Sequence, residues 1–346
     1  MGSGMEKIGL TTTVPVELVF AAGYQPVDVN NIFISDPEAM RRVEAAERAG
    51  YPRTVCGWIK GLYATIVDTP DIRKVIAVTQ GDCSNTQALM ETLEAEGIEV
   101  IPFAYPYDRD YGTLQREIEK LAQRLGADWA EAGRQKQRLD AVRRLAWKID
   151  EASWQNGAAT GFENHLYQVG CSDFEGDPEG YAEKLSAFLR EVQAREKEVR
   201  PAAASREVRL AFIGVPPIFP DLYDFLEEAG ARVVFNEVQR QFTLPFPGAD
   251  LVESYRLYTY PYSIFWRLQD IEREVRRRDI DGIVHYTQSF CYRQIEDILI
   301  RRQRFTGRDG RSGVPILTIQ GENPVGLDAR TRLRLESFID IVRERQ

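Results

Sequence analysis

Short β-branched runs alternate with longer stretches of helical periodicity along almost the whole of this 346-residue chain. Such a pattern calls for parallel strands joined by crossover helices, because that arrangement buries strands that are apolar on both faces. In the N-terminal half the strand runs are Pro26 to Val29, KVIAVT (Lys74 to Thr79) and IEVIPF (Ile98 to Phe103). Helices are expected at Val16 to Ala22 with Pro15 in the first turn, and at Pro37 to Ala49, Gly57 to Val67 and Asn85 to Glu96. Leu114, Ile118, Leu121 and Leu125 then fall at helical spacing, and charge-rich helix continues to about Trp154. NGAATGFENH reads as a loop, Pro178 opens a further amphipathic helix, and RPAAAS (Arg200 to Ser205) is the best linker. A second alternation follows, with strands RLAFIG (Arg209 to Gly214), ARVVFN (Ala231 to Asn236), GIVHY (Gly282 to Tyr286) and PILTIQ (Pro315 to Gln320). Its helices are expected at Pro220 to Glu228, Ser263 to Arg278, Tyr292 to Phe305 and Ala329 to Glu344. The expected fold class is α/β, with two parallel-sheet, Rossmann-like domains and connecting helices. Residues 5–112 form the N-terminal α/β domain, 113–205 the helical connecting region and linker, and 206–346 the C-terminal α/β domain. No convincing sequence repeat relates the two halves.

Composition narrows the class of partner. Hydrophobic residues make up 43% and charged residues 28%, enough apolar material for a packed core, so disorder is excluded. A formal charge of −9 argues against a nucleic acid or an anionic membrane surface. The longest apolar run, Leu210 to Phe219, is interrupted by Pro216 and Pro217 and falls short of the roughly 18 residues of a membrane helix. MGSGMEK lacks the basic segment and apolar core of a secretory signal, and Met1 to Gly4 read as an appended scar. The expectation is a soluble, cytoplasmic protein.

Four cysteines, Cys56, Cys83, Cys171 and Cys291, are widely dispersed. A disulfide framework is not expected in a long chain without an export signal, and no C-x-x-C suggests a zinc knuckle or a redox pair. With His165 and His285 as its two histidines, the chain lacks the means for a histidine-rich metal site. Taken by count, the thiols read as buried core residues. Their positions add a second reading. Cys83 lies just past KVIAVT and Cys291 just past GIVHY, each before a helix, at the carboxyl edge of a parallel sheet where open α/β folds bind ligands. Cys56, in YPRTVCGWIKG, also precedes a helix. Helix N-termini favour the thiolate, the form that binds metal. Three such thiolates brought together in an interdomain cleft would suit a cluster with an open coordination position better than a closed structural zinc site.

TTVPVELVFAAGYQPV resembles the opening of the 2-hydroxyacyl-CoA dehydratase family, in particular its D-component-like subunits of the 2-hydroxyglutaryl-CoA dehydratase and benzoyl-CoA reductase type. The resemblance continues in order through CGWIKG, GDCSNT, GFENH, EEAGARVVFNE, YTQSFC, ILTIQGENP and TRLRLESFID, from Glu6 to about Ile341. It implies that Cys56, Cys83 and Cys291 match the three cysteines that hold an oxygen-sensitive 4Fe-4S cluster. It also implies a lyase: a low-potential electron reduces the thioester of a 2-hydroxyacyl-CoA to a ketyl radical anion, which expels the hydroxyl group as water. A separate ATP-dependent activator supplies the electron, and this chain contains no G-x-x-x-x-G-K-[ST] of its own. The resemblance leaves two alternatives open: a cluster-dependent reductase of another small molecule, or a non-catalytic electron-transfer partner. The best-known members pair unlike subunits, so a homodimer or a heterodimer with a related subunit is expected. One branch holds an eight-iron double cubane, for which four thiolates are too few.

Cys171, in QVGCSDFEGD, has no counterpart among those ligands and stays open as an extra ligand, a redox-active thiol or a core residue. Glu17 is a candidate site carboxylate from its place in the family pattern, although a first-turn glutamate also satisfies the helix dipole. Glu322 and Asn323 follow the last strand and are candidates to orient a ligand, to cap a helix or to make loop contacts. His285 reads either as a packed core residue or as a proton donor. The arginines at 273, 276, 277 and 278 close a helix, or else contact coenzyme A phosphates. GRDGRSG (Gly307 to Gly313) enters a strand instead of leaving one and reads as a connector.

Overall fold

Strands that are buried on both faces dominate both halves of the chain, and their sequences are correspondingly apolar. In a computed structural model that describes residues 5–198, 207–307, 310 and 313–345, they form two four-stranded sheets. The first contains β1 (Lys7–Leu10), β2 (Gln25–Asp28), β3 (Ile72–Gln80) and β4 (Glu99–Ala104), in the order β2-β1-β3-β4. The second contains β5 (Val208–Gly214), β6 (Ala231–Asn236), β7 (Gly282–Gln288) and β8 (Ile316–Gly321), in the order β6-β5-β7-β8. Every pairing is parallel. The α/β class expected from the alternation is therefore the class found. In each sheet the chain winds outward from its first strand and then returns to that strand's other side. This places a topological switch point beside the carboxyl ends of β1 and β3, and another beside those of β5 and β7.

The chain divides into two compact units. One takes in the chain up to Arg144, Val169–Lys184 and Gln241–Ser263; the other takes in Leu145–Gln168, Leu185–Arg240 and the chain from Ile264 on. Residues 113–205 are thus shared between the units. In the first unit the helix Gly57–Val67 is buried almost all round, and Ile59, Leu62 and Ile66 pack with Ile72, Val75, Leu89 and Leu93. In the second, Ala211, Ile213, Val234 and Ile283 of the sheet pack with Leu268, Ile271 and Val275 of the helix Ile264–Arg277. Among the described residues no helix is long and apolar enough to cross a membrane.

Several segments differ from expectation. The helix expected from Leu114 to Trp154 is two helices, Tyr111–Leu125 and Trp129–Gln155, and Gly126 ends the first at φ 69°. Within NGAATGFENH, Gly161–Val169 is a helix. Thr160 Oγ1 accepts from the Glu163 amide at 3.1 Å, while Glu163 Oε2 accepts from the Thr160 amide at 2.8 Å, a reciprocal cap that starts it. The helix expected from Tyr292 to Phe305 is a 3-10 turn, Tyr292–Glu296, followed by the short helix Asp297–Arg302. The linker reading of Arg200 to Ser205 lies outside the described residues, as do Arg308, Asp309, Arg311 and Ser312 of the expected connector.

Candidate functional site

In the first unit, β3 runs into Gly81, whose φ of 99° is a conformation that L side chains rarely adopt. A Cβ there would lie 2.8 Å from the carbonyl oxygen of Pro261 and 2.9 Å from Cβ of Tyr105, so both the turn and the close approach require glycine. The turn carries Cys83 to a half-buried position two residues before Asn85, the N-cap of the helix Thr86–Ala95. The Asn85 amide donates to Cys83 Sγ at 3.4 Å, and the Thr86 amide donates to the Cys83 carbonyl oxygen at 3.2 Å. Cys56 is the N-cap of the eleven-residue helix Gly57–Val67, 5% exposed, with no side-chain cap of its own. Cys56 belongs to the apolar cluster of this unit and Cys83 packs against it. Cys56 thus sits at a helix N-terminus within apolar surroundings, and Cys83 accepts a directed N–H.

Cys291 belongs to the second unit. Beyond β7 the chain passes through Ser289 and then Phe290, which is exposed and held at φ 63°. A non-glycine residue there costs on the order of 1–3 kcal/mol. Hydrogen bonds hold the turn in place. The Ser289 amide donates to the Gly321 carbonyl at 2.7 Å, the Cys291 amide to the Gln288 carbonyl at 3.2 Å, and Gln294 Nε2 to that same carbonyl at 2.6 Å. Cys291 is the N-cap of the 3-10 turn Tyr292–Glu296, too short to present a helix dipole, so the dipole argument that serves Cys56 does not extend to it.

Beside Cys291, a recess of ≈ 10 Å³ opens at the β5–β7 switch point, lined by Gly214, Val215, His285, Gln288 and Arg293 among others. That volume admits about one water-sized group. Ion pairs flank it. Arg267 Nε and Nη2 bind Glu237 at 2.7 and 2.9 Å, and its Nη1 binds Glu296 at 2.5 Å. Burial opposes ionisation of Glu237, but Arg267 and the Gly214 amide, at 2.9 Å, hold its carboxyl below the ordinary range. His285 Nδ1 lies 2.8 Å from Asp297 Oδ1. Burial also opposes ionisation of Asp297; hydrogen bonds from His285, Thr318 and Arg301 overcome it and keep this carboxyl well below the usual range.

The remaining candidates fall elsewhere. Glu17 is wholly buried in the first unit, with Oε1 accepting from Arg143 Nη1 and Oε2 from Tyr255 Oη, both at 2.7 Å. Both oxygens are engaged in the core, which suits an anchor better than a proton carrier. Cys171 is buried in the 3-10 turn Gly170–Ser172, and burial pushes its thiol up to about 12. It remains protonated near neutrality. Glu322 is exposed, and its carbonyl oxygen accepts from Gln288 Nε2 at 2.8 Å. All four cysteines are thiols. Among the described residues no three His, Cys, Asp or Glu side chains are gathered closely enough to hold a metal ion. Asp297 and Glu237 were not foreseen from the sequence. Asp297 lies twelve residues after His285 in the sequence, and only the return of the chain past β7 pairs them.

Two doubly wound parallel sheets, each delivering a cysteine just past its third strand in chain order, define a class of α/β proteins with ligand sites at sheet switch points. Residues 11–342 match the family model of the 2-hydroxyglutaryl-CoA dehydratase D-component, and the chain belongs to that family. No curated protein matches it.

Proposed function

We propose that the chain is a cluster-bearing subunit of 2-hydroxyacyl-CoA dehydratase type, a lyase that removes water from a 2-hydroxyacyl thioester of coenzyme A in the cytoplasm. The family match along residues 11–342 carries this reading. Cys56, Cys83 and Cys291 are assigned as ligands of a 4Fe-4S cluster. The donor set fits that group: three thiols, two of them against one apolar cluster and one accepting a backbone N–H, as cluster sulfurs commonly do. When bound, the cluster supplies the thioester with a low-potential electron that a separate ATP-dependent activator provides.

The protein's own contribution is shielding and charge. The apolar cluster around Cys56 keeps water from its sulfur, and the Asn85 amide stabilises negative charge on Cys83. The ordered turn after β7 fixes Cys291 despite the strain at Phe290. Cys171 is left out of the ligand set because its burial favours the neutral thiol. Association with a second copy or a related subunit completes the proposed assembly.

The test is anaerobic iron and sulfide analysis with electron paramagnetic resonance. About four irons per chain are expected. Cys56→Ala, Cys83→Ala and Cys291→Ala should each lose most of the iron, whereas Cys171→Ala should keep it. Full iron retention by any of the first three removes that residue from the set, and an iron-free wild-type chain defeats the reading.

A further inference from the structure

The recess beside Cys291 contains a histidine that the ligand assignment leaves unused. His285 sits within β7 and is 3% exposed. Its ring is fixed through Nδ1 by Asp297, at 2.8 Å, and that carboxylate is itself held by Thr318 Oγ1 at 2.6 Å and Arg301 Nε at 2.8 Å. An ionised acceptor at Nδ1 selects the tautomer protonated there and leaves Nε2 a bare acceptor in the neutral ring. Nε2 makes no hydrogen bond among the described residues. The adjacent ring atom, Cδ2, lies against Gly214, where a Cβ would come within 3.4 Å of it, and Gly214 is itself a wall of the recess. Two of the other polar side chains there are engaged. Gln288 accepts from Tyr286 Oη at 2.6 Å and donates to the Glu322 carbonyl at 2.8 Å, and Arg267 is bound by two carboxylates. The recess thus combines an oriented acceptor with room for one small group, and the small group that matches an acceptor is an O–H.

We propose that His285, oriented by Asp297, recognises the hydroxyl of a 2-hydroxyacyl thioester by accepting its hydrogen bond at Nε2. This rests on the dehydratase reading and names the side chain that distinguishes a hydroxyacyl thioester from a plain acyl one. A site built to bond a hydroxyl rejects the analogue that lacks it, because the buried acceptor is then left unpaired.

The experiment measures affinities of the anaerobic, cluster-loaded chain, without reductant or activator, for lactoyl-coenzyme A and propionyl-coenzyme A by calorimetry. Wild type should prefer the hydroxylated ligand by about tenfold. His285→Asn keeps a polar atom near the position of Nδ1 but deletes Nε2, and should bring the ratio close to one. His285→Gln places its amide near Nε2 and should retain part of the preference. Asp297→Asn frees the ring and should also lower the ratio, which keeps the test available if the asparagine variant at 285 does not fold. A purely structural role would weaken both ligands alike and leave the ratio intact. An unchanged ratio in His285→Asn, or equal binding of both thioesters by wild type, overturns the hydroxyl assignment alone. Failure of wild type to bind either thioester overturns the dehydratase reading and this inference with it.

Discussion

Burial sets the protonation of Asp173 ahead of any ligand. Its Oδ2 accepts from the Asp28 amide at 2.7 Å and its Oδ1 from the Glu175 amide at 2.9 Å, yet burial and the neighbouring Asp28 carboxylate push it up to about 7. Asp28 is shifted upward too, chiefly by burial. A carboxyl whose folded value lies above its ordinary 3.8 binds its proton more tightly in the folded state. Its contribution to stability is therefore full below about pH 4 and is lost as pH rises to about 7, on the order of a few kcal/mol. Urea midpoints of wild type should fall across that window. Asp173→Asn, which cannot ionise, should show a flatter profile, so that the two curves converge in acid and separate toward neutrality. Parallel curves from pH 4 to 8 would mean that Asp173 does not titrate in this range. The same burial physics separates Cys171, a neutral thiol, from Cys83, which accepts an amide hydrogen. Position in the sequence placed Cys83 and Cys291 past strand ends, but nothing in it showed that both oxygens of Glu17 are taken by Arg143 and Tyr255, residues more than a hundred positions away.

Element boundaries were legible where periodicity and punctuation agree. The run Ala231–Asn236 is found as read, because β-branched residues there are bounded by a turn and buried on both faces. β1 escaped because it has four residues, one of them Gly9, and only pairing with β2 and β3 defines it. NGAATGFENH reads as a loop, yet its second half begins the helix Gly161–Val169, and the T-x-x-E of Thr160 and Glu163 is the signal of a capping box. The turn after β3 shows how strictly an element end can be fixed. Gly81→Ala adds a Cβ 2.8 Å from a backbone oxygen at φ 99°, whereas Gly23→Ala, at φ 79°, meets nothing within 4 Å. Backbone strain alone should cost Gly23→Ala about 1 kcal/mol in urea unfolding. Gly81→Ala should lose at least about 2 kcal/mol more, since backbone has to move. Equal losses would show that the Gly81 turn relaxes freely.

At the scale of the whole molecule, the same strand order recurs in two sheets with no sequence repeat to announce it, because packing constrains only the apolar pattern. The recurrence also bears on the energy source. In doubly wound sheets a nucleotide's phosphates are cradled by the turn after the first strand, through free N–H groups at a helix N-terminus. Here the turn after β1 ends in Pro15, the N-cap of the six-residue helix Val16–Ala21, with Glu17 in its first turn. The segment after β5 carries Pro216, Pro217 and Pro220 before Asp221 caps the seven-residue helix Leu222–Glu228, which has Asp224 in its first turn. Proline removes a donor a phosphate needs, the Val16 amide is already taken by Tyr255 Oη at 3.2 Å, and Asp224 near its helix N-terminus repels an anion. Neither sheet can cradle ATP at this turn. Equilibrium dialysis of the purified chain against millimolar Mg-ATP should detect no binding, and the chain alone should release no phosphate. ATP hydrolysis should appear only when an activator fraction is added. Saturable ATP binding by the chain alone would place the energy-coupling step within it and remove the need for a separate activator.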